Sequence, residues 1–237
     1  MKVEPLKLLC FLLAALCAAA SAPAQNAPSC TDLAKFKTDG VEITKADSVA
    51  AGAMIPVPYA GTIGPLPAHC LVGGVIHRRK GVDGAEYGIG FELALPSQNA
   101  WNGDFMMQGG GGSNGVINYP LGSSFSGDKP ALVRGFVVAS TDTGHESKSG
   151  GFDFSFMHDQ QAYLDFAFEA NAEVAKVAKQ IIDRYYSKSP MYSYFVGCST
   201  GGREGMILSQ RYPNAFNGIV SGDPAMRTGL SNLAIGK

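Results

Sequence analysis

One short stretch of the sequence has the residue types and the spacing of a nucleophilic site. Gly197-Cys198-Ser199-Thr200-Gly201 follows the pattern G-x-S-x-G and lies between an apolar run and a segment with helical spacing. A serine in a sharp strand-to-helix turn presents its hydroxyl to a substrate, and glycines beside it let strand and helix approach closely. The pattern predicts that Ser199 is a nucleophile. The alternative is an ordinary glycine-rich turn, because such a short pattern also recurs by chance.

Acyl transfer also needs N–H donors for the oxygen of a tetrahedral intermediate. The amide of Thr200 stands where the helix begins and is the first expected donor, with the helix dipole adding to its field. A second donor is expected from the glycine run at 109–112, whose N–H groups can face a ligand without obstruction by side chains. A flexible or phosphate-binding loop is the competing interpretation. No Gly-Lys-Ser or Gly-Lys-Thr follows the run, which disfavours nucleotide binding.

A serine nucleophile needs a base to accept its proton and an acid to orient that base. In the α/β-hydrolase order both follow the serine, yet no histidine follows Ser199 in this sequence. Asp142 and His145 share one glycine-containing loop and form an alternative pair, although we interpret His145 as a residue that organises this loop. Asp223, after the next apolar segment, is a candidate acid. The other histidines are His69 and His77 in the N-terminal region and His158 near a helix start.

The elements that must position these residues follow from the hydrophobic pattern. Apolar residues at helical spacing predict a long helix over residues 159–186 and a second helix over 201–211. The C-terminal half therefore alternates helix, strand, turn, helix and strand. This order predicts an α/β fold with a mostly parallel sheet and helices on both of its faces. The predicted strands are 71–77, 87–95, 104–108, 136–140, 191–196 and 216–222.

The composition limits the class of protein and of partner. A chain of 237 residues with 46% hydrophobic and 16% charged residues can bury one substantial core. The net charge of -1 and the lack of long charged runs give no electrostatic footprint for nucleic acid or for an anionic membrane surface. We therefore expect the partner to be a small, largely uncharged molecule.

The first 24 residues have the features of a signal peptide. Two lysines, the apolar stretch LLCFLLAALCAAA and the small residues Ala22-Pro23-Ala24 predict cleavage near Ala24. The apolar stretch is short for a membrane span, which favours a secreted or periplasmic product. A lipoprotein anchored at Cys17 is the alternative, but the bulky Leu16 precedes this cysteine.

Export changes how the cysteines are interpreted. Cys30, Cys70 and Cys198 remain after cleavage, in a compartment where disulfides form. A bridge between Cys30 and Cys70 is expected to fix the N-terminal arm. Cys198 then has no partner, which leaves two interpretations. It is either a buried free thiol or a cysteine whose partner is absent from this sequence.

Three longer segments carry more information than any single motif. They are WNGDFMMQGGGG at 101–112, FVVASTDTGH at 136–145 and YSYFVGCSTGGREGMILSQRYPNAFNGIVSGDPA at 192–225. Together they resemble the tannase and feruloyl esterase family of exported α/β-hydrolases, which includes enzymes like mono(2-hydroxyethyl) terephthalate hydrolase. The resemblance implies a serine esterase in which Ser199 is the nucleophile and Thr200 and Gly110 supply the oxyanion-hole amides. It also implies that Cys198 forms a disulfide with a cysteine directly after the catalytic histidine.

The resemblance also identifies what this sequence lacks. The family's catalytic aspartate, its His-Cys pair and its lid domain, with the lid calcium site, all follow the segment where this chain ends, so we expect no cofactor here. We expect residues 25–237 to be the N-terminal part of an α/β-hydrolase domain. Its substrates would be aromatic acid esters such as feruloyl, galloyl or terephthaloyl esters, hydrolysed weakly or not at all by this truncated chain. The alternative is a non-catalytic exported binding module, which the coding sequence beyond Lys237 would distinguish.

Overall fold

The computed structural model describes residues 28–57, 61–122, 128–148 and 152–227. The predicted signal peptide, residues 1–24, lies outside them. The described residues form nine strands and three α-helices. None of these helices is long and apolar enough to cross a membrane. The strands are β1 Val41–Val49, β2 Ile55–Val57, β3 Gly61–Ile63, β4 His69–Lys80, β5 Glu86–Pro96, β6 Asp104–Gln108, β7 Val137–Thr141, β8 Tyr192–Cys198 and β9 Gly218–Gly222. The helices are α1 Gln160–Leu164, α2 Ala170–Tyr186 and α3 Thr200–Arg211.

Seven of the described strands form one mixed sheet in the order β1-β4-β5-β7-β6-β8-β9, and β2 pairs with β3 separately. The pairings from β7 through β6 and β8 to β9 are parallel, and the three pairings that join β1, β4, β5 and β7 are antiparallel. The α/β class is confirmed, but the parallel part is smaller than predicted. The physical reason is the short turn at 81–85 between β4 and β5, which leaves no room for the crossover that parallel pairing requires.

Side chains alternate along the strands between two apolar clusters, one on each face of the sheet. In β6, Phe105 and Met107 pack in the first cluster, and Met106 packs in the second. This alternation follows from the two-residue period of a strand. Helices α2 and α3 both pack on the first face, through residues such as Ile181 and Leu208.

The second face of the sheet is covered differently from the prediction of helices on both faces. In the part of the chain that the structure describes, the β2–β3 hairpin and the short 3-10 helix Leu132–Arg134 pack against it. The connection from β6 to β7 contains Pro120, Gly122 and Pro130, which disfavour a long helix. Among the described residues a 3-10 helix and a hairpin therefore pack on this face, where the prediction had an α-helix.

The helix predicted over 159–186 is interrupted in the structure. Asp159 caps its start by accepting the Ala162 N–H at 2.9 Å, and a π-helical turn, Asp165–Glu169, separates α1 from α2. The guanidinium of Arg203 in α3 donates to the carbonyls of Phe166 and Ala167 in this turn, at 3.1 and 3.0 Å. The π-helical turn thus receives hydrogen bonds from the helix that follows the candidate nucleophile. Such π-helical turns frequently occur at functional sites.

The disulfide expected between Cys30 and Cys70 is present. It joins the N-terminal 3-10 helix, Cys30–Lys35, to β4 across a Cα–Cα distance of 5.4 Å. Cys198 is a free thiol and is exposed, which corrects the interpretation of a buried thiol. Its position, at the last residue of β8 and on the surface, leaves its sulfur accessible to another cysteine.

Candidate active site

Ser199 occupies the tight turn between β8 and α3. Its backbone has φ 57° and ψ -116°, a region that residues other than glycine rarely adopt. Its N–H donates to the Gly222 carbonyl at 3.1 Å, and its carbonyl accepts the N–H groups of Arg203 and Ala225, each at 3.0 Å. The strained conformation is therefore held by α3, by β9 and by the residues after β9. A strained serine between a strand and a helix is the geometry of a nucleophile elbow.

Two glycines are required by close packing at this turn. A Cβ atom on Gly197 would lie 2.5 Å from the carbonyl carbon of Gly201, and one on Gly202 would lie 2.2 Å from the Gly222 carbonyl oxygen. Both neighbours are backbone atoms that cannot move aside without displacing β9 or α3. The first contact explains why the G-x-S-x-G pattern has a glycine at Gly197. The second explains the glycine at Gly202, which lies outside that pattern.

The glycine-rich loop, residues 109–115, follows β6 and packs against the start of α3. The Gly201 N–H donates to the Gly110 carbonyl at 3.0 Å, and the Thr200 hydroxyl donates to the Gly112 carbonyl at 2.6 Å. The Gly110 N–H donates to the Glu204 carboxylate at 3.1 Å. The prediction that the Gly110 amide faces an oxyanion is therefore corrected, because its one N–H is directed at a carboxylate on α3.

A cleft of about 360 Å³ opens beside Ser199. Gly112 and Thr200 line it together with Ser199, whereas Gly110 does not. Among the residues of the glycine-rich loop Gly112 lines the cleft, so its amide is the second oxyanion donor that this geometry favours. The rest of the lining is mainly apolar, and its volume suits a small organic ligand. The apolar residues are Phe152, Phe154, Met157, Phe166 and Ala225.

His145 lies outside this cleft. The imidazole is 3% exposed and stacks on the Phe156 ring at a centroid distance of 3.7 Å. Burial lowers the pKa of His145 to about 4, so the ring is neutral at neutral pH. A Cβ atom on Gly115 would lie 3.0 Å from the His145 Nε2 atom, so the ring packs directly against the glycine-rich loop. This contact supports the interpretation that His145 organises a loop.

Asp142 is buried on the same side of the glycine-rich loop. Its carboxylate accepts the N–H groups of Gly90 and Gly144 at 2.9 and 2.8 Å, and its carbonyl accepts the Gly115 N–H at 2.9 Å. Burial raises the pKa of Asp142 to about 7, although the two backbone donors oppose the rise. Asp142 does not line the cleft either, so its hydrogen bonds mark it as a residue that supports the backbone behind the site.

The remaining candidate residues are dispersed. His69 contacts the Tyr119 hydroxyl at 2.5 Å and the Pro67 carbonyl at 2.7 Å, and His158 is exposed at the end of a 3-10 helix. Asp223 is exposed directly after β9, with φ 39°. Among the described residues no histidine lines the cleft, and no three His, Cys, Asp or Glu side chains are grouped as a metal site.

Glu204 is the residue at this site that sequence reasoning missed. It is 3% exposed and accepts hydrogen bonds from two residues of the glycine-rich loop. Burial raises the pKa of its carboxyl group, and these hydrogen bonds oppose the rise. The available signal was its spacing, because Thr200 and Glu204 are four residues apart and share one face of α3.

Comparison with known proteins identifies a family and several relatives of this chain. The family model described as Tannase and feruloyl esterase matches residues 70–234. The mono(2-hydroxyethyl) terephthalate hydrolase of Piscinibacter sakaiensis is 40% identical over 173 residues, which cover 70% of this chain and 28% of that protein. A probable feruloyl esterase of Arthroderma benhamiae is 38% identical over 138 residues, which cover 56% of this chain and 24% of that protein.

A solved structure shows the same relationship in three dimensions. The crystal structure of feruloyl esterase B from Aspergillus oryzae matches with a TM-score of 0.69 at 27% sequence identity. The match covers 84% of this chain and 37% of that one. The chain thus spans well under half the length of the relatives that it matches.

Proposed function

Because the chain belongs to the tannase and feruloyl esterase family, we propose that it is part of a serine esterase that hydrolyses esters of aromatic acids. The observation that carries this proposal is the strained Ser199 turn beside a mainly apolar cleft. Feruloyl, galloyl and terephthaloyl esters are the candidate substrates. The aromatic side chains in the cleft, among them Phe154 and Phe166, are suited to contact an aromatic ring.

In the proposed reaction the Ser199 hydroxyl attacks the ester carbonyl carbon, and its proton passes to a base. The bond to the alcohol oxygen then breaks, the alcohol leaves with that proton, and water hydrolyses the acyl-serine to release the acid. The amide of Thr200, at the N-terminus of α3, and the amide of Gly112 bind the oxygen of the tetrahedral intermediate. These donors match the developing negative charge better than the neutral carbonyl, which is how they lower the barrier.

The base and the acid of this reaction are expected outside the given sequence. Resemblance to the family assigns both roles to residues that follow Ser199, and no histidine does so here. Cys198, exposed and free, is proposed to pair with a cysteine beside that histidine. A serine without its base reacts on the order of 10⁴ to 10⁶-fold more slowly. We therefore expect the 237-residue chain alone to have weak activity or none.

Reaction with a fluorophosphonate tests this proposal, because the reagent forms a bond to a nucleophilic serine. We expect slow labelling of the purified chain, with the label on Ser199 in peptide mass spectra and no label on Ser199→Ala. Ser209→Ala, which removes an exposed hydroxyl of the same helix, should be labelled like the parent. Hydrolysis of methyl ferulate, methyl gallate and mono(2-hydroxyethyl) terephthalate, measured against Ser199→Ala, then compares the substrate classes.

Two results would contradict the proposal. Equal labelling of the parent and of Ser199→Ala would exclude Ser199 as the nucleophile. Labelling at the rate of a complete serine esterase treated in parallel would show that this chain already contains the base.

A further inference from the structure

Glu204 is a buried carboxylic acid that the reaction proposed above does not use. Its side chain is 3% exposed, and within the described residues it forms no salt bridge with a lysine or arginine. Burying a carboxyl group without a counter-ion is costly unless hydrogen bonds satisfy its oxygens. Its hydrogen-bond partners should therefore explain why a glutamate is placed there.

Two partners of Glu204 lie in the glycine-rich loop. Its Oε2 atom accepts the Gly110 N–H at 3.1 Å, and its Oε1 atom accepts the side-chain NH₂ of Asn114 at 2.6 Å. Asn114 is 4% exposed, so this contact is shielded from water. Glu204 thus joins two points of one loop to α3, and the Asn171 side chain of α2 also forms a hydrogen bond with this carboxylate.

The same helix fixes the loop at a third point. Thr200 binds the Gly112 carbonyl, so α3 contacts the loop at Gly110, Gly112 and Asn114. Gly111, between two of these points, is exposed, and a Cβ atom there would meet nothing within 4 Å. The loop is therefore held from inside while its segment at Gly111 and Gly112 stands toward solvent and the cleft.

We propose that Glu204 is a positioning residue that binds the Gly110 N–H and Asn114 together, so that Gly112 is held at the cleft with its amide facing it. The catalytic meaning of this arrangement rests on the proposed function, whereas the holding of the loop does not. A glutamine at position 204 has one acceptor oxygen and one NH₂ group. The NH₂ group would meet either the Gly110 N–H or the Asn114 NH₂, and one hydrogen bond would be lost.

Hydrogen–deuterium exchange of the full chain tests this role in Glu204→Gln, Asn114→Asp and the double variant. In the double variant the introduced amide donates to the introduced carboxylate, and its oxygen still accepts the Gly110 N–H. We expect amides at 109–115 to exchange at least tenfold faster in each single variant and to return to within threefold of the parent in the double variant. Amides of β5 and β7 should exchange as in the parent throughout.

Three results would overturn the proposal: unchanged loop exchange in Glu204→Gln, a double variant as fast as the single ones, or equal acceleration in β5 and β7. The last would indicate loss of global stability instead of loop positioning. If Glu204→Gln does not fold, Asn114→Ala replaces it, since it removes one accepted hydrogen bond and keeps the one from Gly110. Fluorophosphonate labelling that persists in Ser199→Ala at the level of the parent defeats the proposed function, while the exchange experiment still decides the role of Glu204.

Discussion

Asp142 shows how a single buried residue can make the stability of this chain depend on pH. Its pKa is raised to about 7 by burial, above the value near 4 of an aspartate in an unfolded chain. Between these two values the folded state holds a proton that the unfolded state has lost. The contribution of Asp142 to the free energy of unfolding is therefore complete below pH about 4, and it is lost as the pH rises through about 7.

Asp142→Asn should remove this dependence, because the amide is neutral and its oxygen can still accept the Gly90 and Gly144 N–H groups. Between pH 4 and pH 8 we expect the free energy of unfolding of the parent to fall by up to about 4 kcal/mol more than that of the variant. Urea unfolding at both pH values measures the difference. Glu146→Gln, which removes an exposed carboxyl group that makes a smaller contribution to the raised pKa, should stay close to the parent. Parallel pH curves for parent and Asp142→Asn would contradict the prediction.

The residues of the site differ in how far the sequence predicts them. Ser199 and Thr200 belong to a local pattern whose meaning depends only on a strand, a turn and a helix. The partner of the Gly110 N–H is Glu204, which is 94 positions away in the chain. A glutamate in an amphipathic helix normally faces solvent, so the helical pattern alone does not predict its burial.

Between elements, the approach of α3 to β9 depends on Gly202. A Cβ atom there would lie 2.2 Å from the Gly222 carbonyl oxygen, and the same β9 residue accepts the Ser199 N–H. Alanine is favoured over glycine within a helix by about 1 kcal/mol. The contact with backbone outweighs this preference, because neither element can shift without disturbing the Ser199 turn.

Gly202→Ala should therefore lower the free energy of unfolding by about 1–3 kcal/mol, the usual cost of overpacking. Gly111→Ala is the matched control, since its Cβ atom would have no neighbour within 4 Å, and its stability should change by less than about 0.5 kcal/mol. Denaturant unfolding of both variants gives the comparison. An equally stable Gly202→Ala variant would show that β9 and α3 can separate more easily than this packing indicates.

The sequence predicts element boundaries well where the spacing of apolar residues changes, and poorly where that spacing continues across a boundary. β6 has the predicted bounds, and α3 begins one residue before the predicted start. The π-turn at Asp165–Glu169 was not predicted, because apolar spacing continues through it and its support comes from Arg203 in another helix. β1, which was also not predicted, forms an edge of the sheet and contains charged residues.

Across the whole molecule, the disulfide ties the beginning of the described chain to the sheet. Cys30 and Cys70 are 40 positions apart, so the bond restricts a long segment of the unfolded chain. Cys30→Ser combined with Cys70→Ser should lower the free energy of unfolding by about 2–4 kcal/mol. Urea unfolding measures the loss, and Cys198→Ser, which changes the exposed free thiol, should leave stability within about 0.5 kcal/mol of the parent. Equal urea midpoints for the parent and the double variant would contradict this prediction.

The overall topology was predictable only in its second half. The alternation of helix and strand after residue 159 identifies the parallel strands, whereas the antiparallel strands are joined by a turn at 81–85 that does not specify which strands lie at the centre of the sheet. The placement of β7 between β5 and β6 is a long-range outcome. The parallel pairing of β6 with β8, on the other side of β6, brings their ends together and with them the two loops of the site.

The four hydrogen bonds between α3 and the glycine-rich loop also have an evolutionary consequence. A lineage that exchanged Glu204 for glutamine alone would bury two opposed donors, and one that exchanged Asn114 for aspartate alone would bury two opposed acceptors. Selection should therefore retain or replace these two positions jointly, although 90 residues separate them. For the same reason, transfer of the serine turn to another scaffold should include the glycine-rich loop, because the two segments hold each other in place.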